Sequence, residues 1–310
     1  MSGFLADLLG KYQVRRTKKQ KDDFIAYAIA AAHSAGYPCQ EEAIKGSFFL
    51  SRNLIAGDPE KAKVVFTAHY DTCAQAPFPN LVYPRSKVMT VLAQMPLILI
   101  LLALAFGTAY LVYGALGRIG ATVAAYIVYF GLFALVFFGP ANRHTANDNT
   151  SGVAALLQIM NALPAEQKRN AAFIFFDNEE YGKVGSKAFA KKHPGVLEKT
   201  TLLNLDCVGD GDDIFVVAPK NAEEKLLSLL RTAFQDGDGK RAVHCSASDT
   251  NYNSDQKSFS NGVAVAACRK GRFGYHIPRI HTRRDVICEE SNLRYVAACA
   301  LKIMDIVSNE

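Results

Sequence analysis

Residues 171–180 read AAFIFFDNEE. Six apolar side chains without alternation are what a strand needs when both of its faces are covered. Three carboxylates, Asp177, Glu179 and Glu180, follow directly, so this strand is expected to run out into a polar site. The same grammar recurs outward from there. Further strands are expected over 47–50, 64–68, 201–205, 213–217 and 263–267, with helices over 22–35, 151–163, 223–234 and 291–307. Strands alternating with helices predict the α/β class, with a largely parallel sheet covered on both faces. A chain of 310 residues that is 50% hydrophobic has ample material for such a core.

One segment does not belong to that core. Residues 88–117 carry no charge, nor do residues 119–142, and Arg118 alone interrupts them inside a Gly-flanked turn. Helices over 90–113 and 121–138 would be about 36 Å and about 27 Å long at 1.5 Å per residue. Both lengths match a hydrocarbon layer of roughly 30 Å. A two-helix transmembrane hairpin over 88–140 is therefore expected. It divides the chain into an N-terminal helix with the first part of the main domain (1–87), the insertion (88–140) and the remainder of the domain (141–310).

A hairpin returns the chain to the side it left. Arg85, Lys87 and Arg143 flank its ends against Arg118 in its turn, which places the domain on the cytoplasmic face by the positive-inside bias. Seven scattered cysteines without a CxxC pair fit a reducing compartment equally well. The N-terminus lacks the order of a secretory signal. Its basic residues Lys11, Arg15, Arg16, Lys18, Lys19 and Lys21 suit either anionic headgroups or a solvated helix face. A net charge of +6 is too small to argue for a nucleic-acid partner.

Polar clusters gather where strands end. The strand over 64–68 leads into His69, Tyr70 and Asp71, and that over 201–205 into Asp206. Asn147, Asp148 and Asn149 precede a helix for which Thr150 or Ser151 is a natural N-cap. His281 lies further on, in Ile280-His281-Thr282-Arg283. Ligands bind beyond the carboxyl ends of such strands. So many carboxylates in one crevice need a positive partner, and two His with three carboxylates form a zinc-type donor set. Two divalent ions against Asp148, Glu180 and Asp206 leave room for one hydroxide, a coherent hydrolytic site. Asp71, two residues after His69, is placed to orient that imidazole. Of Glu179 and Glu180, one is expected to ligate and the other to accept a proton.

His69-Tyr70-Asp71, Asn147-Asp148-Asn149 with Ser151-Gly152, Glu179-Glu180 with Gly182, Asn204-Leu205-Asp206, Ser254-Asp255 and Ile280-His281-Thr282 together resemble the M28 aminopeptidases with co-catalytic zinc. The resemblance implies a mixed, largely parallel sheet sandwiched between helices, and peptides as substrates. It implies that Asp148 bridges two zinc ions, one also held by His69 and Asp206, the other by Glu180 and His281. Glu179 would then be the general base that activates a bridging water and protonates the leaving amine, with Asp71 beside it in the catalytic group. Tyr252, one position from the family's tyrosine, is the candidate for substrate binding. Gln256 stands where a histidine often follows the Ser-Asp pair, and the Arg-Ile-His-Thr context favours His281 over His276. Soluble members have a much shorter segment between the His-x-Asp strand and the bridging aspartate, so the site is expected close to the membrane. Two other functions remain: a glutaminyl-cyclase-like aminoacyltransferase and a non-catalytic membrane scaffold. The absence of Trp weighs against the first, and the complete ligand set against the second.

Overall fold

The computed structural model describes residues 3–44, 51–78, 80–196 and 200–309. In chain order its strands are β1 (Cys39–Ile44), β2 (Ser51–Ala56), β3 (Val64–His69), β4 (Ala171–Phe176), β5 (Thr201–Leu205), β6 (Asp213–Ala218), β7 (Arg241–Ser246), β8 (Gly262–Gly271) and β9 (Gly274–His276). Its α-helices include α1 (Gly3–Lys11), α2 (Lys18–Ser34), α3 (Lys87–Phe138), α4 (Gly152–Ala162), α5 (Val184–Lys192), α6 (Glu224–Ala233) and α7 (Glu290–Ser308). The sheet is ordered β1-β2-β4-β3-β5-β8-β6-β7, with β9 on β8. Its centre, β4-β3-β5-β8, is parallel, and antiparallel pairs lie outside it, so the sheet is mixed.

The unalternating run of β4 has a direct cause. Ala171, Phe173 and Phe175 point into one apolar cluster with α1, α2, α4 and α7, while Ala172, Ile174 and Phe176 enter a second with Phe189 of α5. Residues of a strand alternate between faces, and here both faces are dry. The register pairs His69 with Phe176, so β3 and β4 end level and release their polar residues at the same edge.

Helix α2 starts four residues earlier than expected, because Thr17 and Gln20 form a reciprocal capping box. The strand expected over 47–50 lies outside the described residues. Strands β1, β2, β7 and β9 and helix α5 were not expected. β1 and β7 are partly exposed edge strands, whose polar residues give no period-2 signal.

The apolar segment departs from the two separate helices expected. Residues 87–138 form one helical element of 52 residues, broken at Gly117 with φ 62° and ψ −175°. Glycine adopts that conformation freely, so the chain changes direction at one residue without a longer turn. Unbroken, such a helix would be about 78 Å long, yet both ends stay on the domain. Asn251 N donates to Pro84 O at 2.7 Å, Gln75 N to Pro140 O at 2.9 Å, and Asn142 N to Cys73 O at 3.1 Å. A cavity of about 1080 Å³ is lined by residues from both sides of the break, among them Leu102, Ala105, Ala121 and Tyr129. Only 6% of the most apolar stretch is buried, which excludes a core helix and is compatible with membrane association.

Candidate metal centre

The polar ends of β3, β4 and β5 meet the 147–151 loop and the 277–285 loop in a cavity of about 370 Å³. His69, Asp148, Glu179, Glu180, Asp206 and His281 all line it. Asp148 is central. Its Oδ1 lies 3.3 Å from His69 Nε2, and its Oδ2 lies 3.0 Å from His281 Nε2. His69 Nε2 is 3.6 Å from Asp206 Oδ1, and His281 Nε2 is 3.3 Å from Glu180 Oε2. Donor atoms of His69, Asp148 and Asp206 form one group within 4.8 Å, and those of Cys73, Glu180 and His281 a second. Cys73 was not singled out by its sequence. His276, the competitor of His281, pairs instead in the β8–β9 ladder and faces the Tyr83 ring.

The backbone that carries these side chains is held by buried polar residues. Asp285 accepts hydrogen bonds from Asn147 N at 2.8 Å and Asp148 N at 3.0 Å. Ser151 stands at the N-cap of α4, as expected, but its side chain makes no capping hydrogen bond. Asn149 Oδ1 accepts from Gly152 N at 3.0 Å and from Cys207 N at 3.2 Å, while Ser151 Oγ donates to Asn147 O. Asp71 does more than expected: its two oxygens accept from Glu179 N at 2.9 Å and Glu180 N at 3.3 Å. The His69 ring meets the Asp71 backbone carbonyl at 3.2 Å and its carboxylate at 3.5 Å. Asp177 is withdrawn from the cavity by Lys21, whose Nζ lies 2.5 Å away, leaving Glu179 and Glu180 to face inward. Arg15, fully buried, reaches Tyr70 O and Thr150 Oγ1 behind the site. Arg15 and Lys21 are thus structural cations, while Lys18 and Lys19 pair with Asp22 and Asp23 on an exposed face.

Tyr252 lines the cavity, and its hydroxyl donates to Asp206 O at 3.1 Å. Cys207, next to Asp206, has two neighbourhoods. It joins an apolar cluster, and it also forms part of the cavity wall. Asn178, Cys207 and His281 have φ between 56° and 62°, a left-handed conformation that costs a residue other than glycine about 1 kcal/mol or more. Such strain next to a polar cavity is typical of a working site.

The electrostatics show what this constellation requires. Burial pushes Glu180 up to about 8 and Asp285 up to about 8, and drives Glu179 well above the usual carboxylate range. Burial opposes the charged form of His281, yet Glu180 and Asp148 raise it to about 10. Burial likewise disfavours the Asp148 anion, but hydrogen bonds from His281 and His69 hold it far below the ordinary value. A carboxylate buried in this way keeps its proton unless a cation takes that proton's place. Glu180 Oε1 and Asp206 Oδ1 are buried and have no hydrogen-bond partner. Imidazoles, carboxylates and orphaned oxygens in two adjoining groups fit divalent cations, which bind by displacing such protons.

Comparison with known proteins places the chain. A family model for peptidase family M28 matches residues 122–305, downstream of His69 and Asp71. A vacuolar membrane protease of Candida glabrata is 34% identical over 116 residues, which are 34% of this chain and 12% of that protein. One from Yarrowia lipolytica is 28% identical over 155 residues, 46% of this chain and 14% of that protein. The matched region therefore spans about one seventh or less of either relative. Among solved structures, Porphyromonas gingivalis glutaminyl cyclase aligns with a TM-score of 0.63 at 18% identity, over 98% of this chain and 96% of that one. A Zn-dependent exopeptidase from Parabacteroides distasonis gives 0.59 at 15%, over 99% and 96%. The Legionella pneumophila LapA aminopeptidase gives 0.58 at 14%, over 99% and 70%. At these identities the structures share the fold, and the family match over more than half of the sequence makes the chain a member of peptidase family M28.

Proposed function

We propose that the chain is a membrane-anchored aminopeptidase that holds two zinc ions and removes N-terminal residues from peptides. The observation that carries this reading is the position of Asp148, with one carboxylate oxygen toward His69 and the other toward His281. His69 and Asp206 would hold one ion, Glu180 and His281 the other, with Asp148 shared between them. When bound, such a pair polarises the scissile carbonyl and makes a water acidic at neutral pH. Glu179, lining the same cavity, takes a proton from the attacking water and returns it to the leaving nitrogen. Asp71 is a positioning residue: it fixes the backbone of both glutamates through their N–H groups. Tyr252 forms the wall beside Asp206 against which substrate would lie.

Residues 88–140 serve in this reading as a two-span anchor inserted between 1–87 and 141–310, with the peptidase domain on the cytoplasmic side. The return of both ends of α3 to the domain, the break at Gly117, the basic flanks and the unpaired cysteines support it. Deleting residues 87–140 and closing the gap with a short linker should move the protein from the membrane pellet to the supernatant. Continued sedimentation with membranes would rule out α3 as the anchor. Protease protection of the domain in sealed vesicles tests its orientation.

Metal content and turnover on the same detergent-purified chain test the chemistry. Close to two metals per chain, with chelator-sensitive release from aminoacyl chromogenic substrates, is the expected result. One metal with cyclisation of N-terminal glutamine would favour the acyltransferase. No metal and no turnover would favour a scaffold.

A further inference from the structure

Cys73 differs from every other cysteine in the chain. Cys39, Cys207, Cys245, Cys268, Cys288 and Cys299 each belong to or pack against an apolar cluster, as free buried thiols usually do. Cys73 is buried but belongs to no such cluster among the described residues. It sits in the loop after β3, where Ala74 bridges to Ala141 and Asn142 Nδ2 approaches its sulfur at 3.9 Å. Its Sγ, one Glu180 oxygen and one His281 nitrogen lie within 4.8 Å of one another. The Glu180 side chain is only 8% exposed, and its Oε1 has no hydrogen-bond partner.

We propose that Cys73 is a thiolate ligand of the metal held by Glu180 and His281. This rests on the two-metal reading above and gives the two positions different characters. The position at His69 and Asp206 has three protein donors once Asp148 is shared, which leaves room for substrate. That at Cys73, Glu180 and His281 has four with Asp148, the closed tetrahedral set of a structural zinc site. The charges also balance, since three carboxylates and one thiolate offset two divalent cations without hydroxide. A zinc tetrahedron has edges of about 3.3–3.8 Å from bond lengths of about 2.0 Å to N or O and about 2.3 Å to S. The Glu180–His281 edge is already 3.3 Å, and sulfur, within 4.8 Å of both, needs to close by about 1.3 Å at most to reach the sulfur-to-N or -O edge of about 3.5 Å.

The test uses the full chain in detergent, stripped of metal and reloaded with Co²⁺. Two cobalt per chain with a near-ultraviolet thiolate-to-cobalt charge-transfer band is expected. Cys73→Ser should abolish the band and weaken one of the two equivalents about 100-fold or more, beyond what even an indirect partner costs. Cys207→Ser, at the cysteine that lines the cavity, should keep it. X-ray absorption of the zinc-loaded wild type gives an independent reading that needs no variant: half a sulfur per zinc at about 2.3 Å. Bound cobalt without the band, a band that survives Cys73→Ser, or zinc without a sulfur shell would overturn the assignment of Cys73 alone. A chain that binds no cobalt would overturn the two-metal reading and this assignment together.

Discussion

Strand β4 and the apolar helix α3 use the same kinds of residue to opposite ends. AAFIFF in β4 is buried at every position, at 2% exposure or less, whereas Leu111 and Ile119 of α3 stand 82% exposed. Hydrophobic side chains gain roughly 1.5–3 kcal/mol each on leaving water, so composition dictates only that both segments must be covered. What covers them differs. β4 is closed by its own chain, through β2, β3 and two sets of helices, while among the described residues α3 finds nothing to cover most of its surface. The sheet edge is thereby rigid enough to hold chemistry, and α3 is left for an external apolar phase.

That contrast can be broken or sharpened in several ways. Glu179→Gln attacks the chemistry at the rigid edge without touching the packing, and should lower turnover by about 10²- to 10⁴-fold with metal content unchanged; unaltered kcat would end its assignment as base. Phe173→Ala opens the core beneath that edge and should cost about 3–5 kcal/mol of unfolding free energy in denaturant titration. A loss below about 1 kcal/mol would mean that the site stands on something other than β4.

The metal-free site should also be pH-sensitive. His281, raised to about 10, contributes stability that is complete below its ordinary 6.5 and is lost as pH rises through about 10. Glu180, raised to about 8, acts in the same direction from its ordinary 4.5 upward. The Tm of chelated protein should therefore fall between about pH 5 and 10, and the metal-loaded protein should resist that fall. A flat profile after chelation would contradict the proton-for-metal account. The smallest effect is expected on α3: Leu111→Ser should change stability in detergent by less than about 0.5 kcal/mol, because Leu111 is almost wholly uncovered by the described residues. A large loss would reveal a protein neighbour where lipid is inferred.

The central strands and the residues at their ends were legible because each rests on a local rule: an unalternating apolar run, then polar groups where the strand stops. His69, Glu179, Glu180 and Asp206 were named from such positions, Asp148 from the loop before a helix and His281 from its Ile-His-Thr-Arg context, and the fold brings all six into one cavity. Cys73, Arg15 and Asp285 stayed obscure because their meaning lies in partners far along the chain. Arg15 reaches Thr150 across 135 residues, and Asp285 reaches Asn147 across 138. No periodicity encodes such contacts. The break in α3 is an intermediate case. The sequence around Gly117 announced a reversal, but not that one residue would suffice.

The first two turns of α3 carry one more consequence. Thr90 and Gln94 stand in the wall of the same cavity as His69 and Asp148, on a helix whose next turns are almost wholly apolar. If α3 sits in a bilayer, its tilt and depth set the width of the substrate pocket. Lipid thickness then becomes a determinant of KM, and a version of the protein cut free of its anchor would differ in selectivity as well as in solubility.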